Sequence, residues 1–149
     1  MLPPFLLSLA LSLSGATIAT DTDSCKAHDI LMGEYVLATK TINMCQKNIL
    51  AAEQDPEEVL RHEMVHLAQH NFGVEEGPLF LHEPVLTWLV RGIIPDGETM
   101  AVLMNYDGDT DAEFEARILA KLPTPFISGL VTISTFPSHL TSFLGHLAN

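Results

Sequence analysis

Between Asp55 and Gly73 the chain runs DPEEVLRHEMVHLAQHNFG, and both ends of that segment are punctuated for a helix. The Asp55 side chain can accept the first free amides. Pro56 suits the first helical position, where its missing N–H would go unpaired anyway, and Glu58 completes an Asp-x-x-Glu capping box. At the far end Gly73 can take the left-handed conformation that closes a helix. Val59, Leu60, Met64 and Leu67 recur at helical spacing as one apolar stripe. The segment predicts a helix over 56–72 that any fold for this chain must seat against a core.

The same helix carries His62-Glu63-Met64-Val65-His66, the pattern H-E-x-x-H. Residues four apart on a helix lie about 40° apart around the axis and about 6 Å apart along it, so both imidazoles can face one ion. Two neutral imidazoles preset half of a tetrahedral zinc site. Glu63 sits beside the first histidine, where its carboxylate can take a proton from a water on that ion and act as general base. In a chain of this composition the pattern is expected by chance about 0.02 times. His70 lies about 12 Å along the axis from His62, too far to share an ion on a straight helix, and reads as a bystander. The longer H-E-x-x-H-x-x-G-x-x-H signature is absent, because Gln69 and Phe72 occupy its Gly and His positions.

A catalytic site of this type needs one further ligand and an open position. EFEARILA (residues 113–120) offers two carboxylates. Glu113 also ends Thr110-Asp111-Ala112-Glu113, itself a capping-box pattern, whereas Glu115 precedes the apolar Ile118 and Leu119 by one turn. His82, His139 and His146 are the other sources. Tyr35, Tyr106 and His82 are each able to donate to the oxygen of a tetrahedral intermediate. DGDTD before this helix lacks the Gly and terminal Glu of a calcium loop, with Ala112 and Ile118 in those places, and reads as an acidic helix cap.

H-E-x-x-H followed by a helix with E-x-E-A resembles the gluzincin metallopeptidases, most closely the CAAX prenyl protease-like group and its small soluble relatives, the minigluzincins. The likeness covers roughly 33–122. In that group the third ligand opens an E-x-x-A-D pattern, which implies Glu113 as ligand and Ala116 as the small residue. Arg117 stands where the family has an Asp that buttresses a zinc-binding histidine, so that orienting role is lost or moved to another residue. The resemblance implies a zincin-like fold, Zn2+ on His62, His66 and Glu113, Glu63 as catalytic base, and a peptide or protein substrate aligned on an edge strand.

Residues 1–19, MLPPFLLSLALSLSGATIA, place an apolar run from Phe5 to Leu13 ahead of small residues, the layout of a secretory signal peptide cleaved at Ala19 or Ala16, although no Lys or Arg precedes the run. The run is shorter than the roughly 18 apolar residues of a spanning helix. The tail from Phe126 is interrupted by Pro137, His139 and His146. The expectation is a signal peptide over 1–19 and a single metallopeptidase domain over 20–149. The product would be secreted or periplasmic, with no stable membrane anchor once the signal is removed. Cys25 and Cys45, the only cysteines, predict one disulfide closing a loop of about 20 residues. The formal net charge of −12 lies entirely within 20–149 and argues against nucleic acid as a partner.

GEYVLATKTINMC (33–45) alternates apolar and polar residues about Thr39 and Lys40, predicting a β-hairpin with Val36, Ala38, Ile42 and Met44 on one face. PVLTWLVRG (84–92) predicts a short buried helix with Trp88 in the core among Val85, Leu86 and Leu89. GETMAVLMNY predicts a second helix, and 112–122 a third, stopped by Pro123 and Pro125. Residues 126–149 show no period. The fold class is α+β: a small N-terminal hairpin or sheet packed on an active-site helix, then further helices. Two rival functions share the metal chemistry. One is a zinc amidase or peptidoglycan hydrolase. The other is a non-catalytic exported protein with a structural zinc, in which His70 or His82 would have to close the site.

Overall fold

The structure, a computed structural model, describes residues 4–73 and 78–147, with side chains over 7–73 and 78–136. Along the chain run α1 (Pro4–Ser14), β1 (Thr17–Thr20), α2 (Asp23–Ala27), β2 (Gly33–Val36), β3 (Thr41–Met44), α3 (Gln46–Ala51), α4 (Pro56–Asn71), α5 (Val85–Ile93), α6 (Asp96–Asn105), α7 (Thr110–Ala120) and α8 (Thr124–Leu147). The described residues thus form an α+β fold with a three-stranded sheet in the order β1-β3-β2.

The ends of α4 follow the local chemistry. Asp55 accepts from the Glu57 amide at 3.0 Å, Pro56 opens the helix, and Gly73 stands at φ +74° just beyond it. Glu58, expected to complete a capping box, pairs with Lys121 at the end of α7. Met64, Val65, Leu67 and Ala68 are fully buried, seating α4 against α7, α8 and the sheet. This helix is the centre of the main core, and the site lies on its outer face.

β2 and β3 form the expected hairpin, antiparallel with Tyr35 opposite Ile42 and Gly33 opposite Met44. The turn is a 3-10 segment, Leu37–Thr39, followed by Lys40 in the left-handed region at φ 50°. That segment breaks the alternation. The residues sharing the inner face with the buried Ile42 and Met44 are Gly33 and Tyr35, instead of the expected Val36 and Ala38. β2 is an edge strand. β1, a strand that the sequence pattern does not predict, pairs parallel to the other side of β3, Thr17 to Thr41 through Thr20 to Met44.

α1 and most of β1 come from the segment read as a signal peptide. In the full chain α1 packs on α8, and Ala10, Leu11 and Ala16 join the main core. Ala19 stands opposite Asn43 of β3. Cys25 and Cys45 are disulfide-bonded, tying α2 to the end of β3, as suits an oxidising compartment outside the cytosol. No helix among the described residues is long and apolar enough to cross a membrane.

One further expectation needs correcting. Trp88 is 73% exposed. α5 buries Leu86 and Val90, one turn apart, against Phe114 and Ile118 of α7 in a second small core, and Trp88 lies two positions from Leu86, on the opposite side of the helix. Residues 124–147, where the sequence shows no period, form the long helix α8. Pro125 falls in its first turn, where the chain can do without an N–H, so Pro123 and Pro125 mark the junction of two helices.

Candidate metal centre

Three side chains from two helices converge. His62 and His66 leave α4 one turn apart, and Glu113 meets them from α7, which packs alongside. His66 Nε2 lies 3.1 Å from His62 Nε2 and 3.2 Å from Glu113 Oε2, and His62 Nε2 lies 3.5 Å from the same oxygen. Ligand atoms around a tetrahedral ion at bond lengths near 2.0–2.1 Å stand about 3.3 Å from one another. The group therefore has the spacing to hold a metal ion.

Glu113 owes this position to its own helix. Asp109 caps α7, accepting from the Asp111 amide at 3.0 Å and the Ala112 amide at 2.9 Å. Relieved of the capping role that Thr110-x-x-Glu113 suggested, Glu113 turns one oxygen to the histidines and the other to Arg117. Arg117 Nε and Nη2 each lie 2.8 Å from Glu113 Oε1, and Arg117 also pairs with Glu98 of α6. Burial alone would push the Glu113 carboxyl up. The hydrogen bonds from His62 and His66, their charge and that of Arg117 outweigh it and hold the carboxyl far below the usual range. His66 moves the other way and is raised: burial opposes its charge, but the hydrogen bond to Glu113 and the nearby carboxylates win.

Glu63 is 5% exposed and lies under the edge strand. A Cβ built on Gly33 would stand 2.8 Å from both Glu63 Oε1 and Val59 Cγ1, so β2 can lie on α4 at this height only because residue 33 has no side chain. The Tyr35 backbone amide hydrogen-bonds the Glu63 carboxylate. Burial pushes the Glu63 carboxyl above its ordinary range, partly offset by His62 and His66. A buried carboxyl whose hold on a proton is strengthened, beside two imidazoles, suits proton transfer.

These groups line a cleft of about 640 Å³. Ile30, Leu31, Met32 and Leu37 give it an apolar wall beside β2, and Tyr106, Glu98 and Arg117 line it as well. His70 is in the cleft but not in the metal group: its Nδ1 is 2.7 Å from the Tyr35 hydroxyl, leaving it the bystander its position on α4 suggested. Burial and the charge of Lys40 lower its pKa, and burial pushes the Tyr35 hydroxyl up to about 12. Glu115, the alternative third ligand, is fully buried elsewhere, accepting from the backbone amides of Leu79, Phe80 and Leu81. His82 does not line the cleft. The side chains of His139 and His146 lie outside the described residues.

Three participants were not expected. Gln69 Oε1 is 2.9 Å from His66 Nδ1, and the spacing of three on one helix face was its available signal. The contacts of Arg117 with Glu113 and Glu98 join α6 to α7, and nothing local in the sequence announces the second of these. Compared with protein-family models, curated proteins and solved structures, the chain matches none.

Proposed function

We propose that this protein is a zinc-dependent peptidase exported from the cytosol. The observation that carries the reading is the convergence of His62 Nε2, His66 Nε2 and Glu113 Oε2 at the floor of a cleft whose wall also holds the buried carboxylate of Glu63. Two imidazoles and one carboxylate suit zinc, and calcium or magnesium would call for more oxygen ligands. His62, His66 and Glu113 would hold the ion, and when bound it would supply Lewis-acid polarisation of a substrate carbonyl.

The chain's own groups account for the rest. Glu63 takes the proton from the attacking water as the oxygen–carbon bond forms. It returns that proton to the amine nitrogen as the carbon–nitrogen bond breaks. An extended peptide suits the outer edge of β2, whose main-chain groups other than the Tyr35 amide, already engaged by Glu63, would pair with it while Leu31, Met32 and Leu37 shelter its apolar side chains. Tyr106 lines the same cleft, and its hydroxyl, raised by burial and by Glu113 and Glu63, would donate to the oxygen of the tetrahedral intermediate. A closed structural zinc site would need a fourth protein ligand. The described residues group only three, and His70 is bound to Tyr35. The disulfide and the apolar leader-like segment support export.

Elemental analysis and a peptide-cleavage assay test this together. The wild type should carry about one zinc per chain, and His66→Ala should lose it. Glu63→Gln should keep the zinc and lose peptide turnover. Zinc-free wild-type protein would sink the metal reading. Unchanged turnover in Glu63→Gln would remove Glu63 from the mechanism, and turnover of cell-wall amides without peptides would favour the amidase.

A further inference from the structure

Behind His66 the hydrogen bonds form a chain with only one consistent direction. It begins at Glu115, fully buried, whose carboxylate accepts from the backbone amides of Leu79 at 2.6 Å, Phe80 at 2.5 Å and Leu81 at 2.8 Å. A fourth donor reaches the same carboxylate: Gln69 Nε2, 2.9 Å from Oε2. That nitrogen also donates to the Ala112 carbonyl at 3.1 Å, so both of its hydrogens are used and neither partner can donate back. The Gln69 amide is 4% exposed and has no other way to lie.

Its oxygen must therefore face His66, and an amide oxygen only accepts. With Gln69 Oε1 at 2.9 Å, His66 Nδ1 has to carry the hydrogen. In a neutral imidazole the other nitrogen is then bare, and that is Nε2, the atom facing His62 and Glu113. Arg117, which stands where the resembled family orients a histidine with an Asp, is occupied with Glu113 and Glu98. The orienting function passes to another helix and a neutral side chain.

We infer that Gln69 is the positioning residue of the metal centre, and that Glu115, by fixing the direction of the Gln69 amide, locks His66 in the tautomer that offers Nε2 as a ligand. This rests on the metal-centre part of the proposed function and not on peptidase activity. It also accounts for the burial of Glu115, since one carboxylate both pins the 79–81 backbone and sets the direction of a ligand two hydrogen bonds away.

The test has a spectroscopic arm and a metal-binding arm. Long-range 1H–15N NMR of the zinc-stripped wild type, recorded above the titration of His66, should show its proton on Nδ1. Zinc titration against a competing chelator should show Gln69→Met, which keeps the length but removes both amide ends, binding about 10- to 100-fold more weakly. Gln69→Met should also free the tautomer, so that part of the His66 proton moves to Nε2 in the same NMR experiment, which a merely space-filling Gln69 would not predict. A proton on Nε2 in the wild type overturns the inference without any variant, even if Gln69→Met fails to fold. So does wild-type zinc affinity in a folded Gln69→Met. Wild-type protein that binds no zinc overturns the metal-centre reading as well. Zinc binding with a dispensable Glu63 defeats only the peptidase.

Discussion

Gly33 and Glu63 are in such close register that a Cβ on the first would lie 2.8 Å from Oε1 of the second. The edge strand and the Glu63 carboxylate, the base of the proposed reaction, are thus placed by one another, the strand resting on the carboxylate and the Tyr35 amide bonding to it. Gly33→Ala has to move either β2 or Glu63. Overpacking of this kind typically costs about 1–3 kcal/mol of stability. Misplacing a catalytic group by about 1 Å can cost on the order of 100-fold in rate. We expect Gly33→Ala to lose about 10- to 100-fold in kcat/KM while zinc affinity, set by α4 and α7, stays within a few-fold of wild type. Steady-state kinetics beside a chelator titration checks this, and loss of zinc with unchanged turnover per bound metal would refute it.

Arg117 holds the far oxygen of Glu113 and leaves the near one to the histidines. Arg117→Met keeps the apolar stem but frees both Glu113 and Glu98, each of which loses a charged donor in a partly buried setting. Hydrogen bonds to charged groups contribute about 1.5–3 kcal/mol, so zinc affinity should fall about 10-fold or more. Arg117→Lys supplies a point charge without the fork and should recover only part of it. Competition titration of the three proteins gives the order, and equal affinities would mean that Glu113 is placed by its helix alone.

The sequence disclosed what is local. Asp55, Pro56 and Gly73 bound α4 through interactions within a few residues, and the four-residue spacing of His62 and His66 sets them on one face wherever the helix goes. Glu113 and Glu115 were harder to separate, since both are buried and they lie two positions apart on α7. Which of them meets His66 depends on how α7 docks on α4, a contact across 47 positions of sequence. Trp88 misled for the same reason: its neighbours are apolar, and only the docking of α5 on α7 decides which side is covered. β1 was illegible because TIAT carries no strand alternation and its partner is a parallel strand more than twenty residues away.

Metal-free and zinc-loaded protein should respond to pH in opposite directions. Without metal, burial opposes the His66 charge but Glu113 and its neighbours raise the group above its ordinary 6.5. The folded state then binds more protons than the unfolded one, and the stabilisation, complete below 6.5, is lost as pH rises through the folded value. Burial raises Glu63 above its ordinary 4.5, which acts in the same direction. Glu113 has the reverse sign: held far below 4.5, it contributes stability above that value that is lost only as the solution becomes strongly acidic. His70, lowered by burial and Lys40, has the opposite sign, but its effect is complete once pH passes its ordinary 6.5, so between about pH 6.5 and pH 8 the zinc-stripped protein should weaken. With zinc, the ligand nitrogens must shed their protons to bind, so rising pH tightens binding and adds stability over the same interval. Urea midpoints at both pH values, with chelator and with excess zinc, should show the slope change sign. The same slope in both would mean that zinc does not bind through His62, His66 and Glu113.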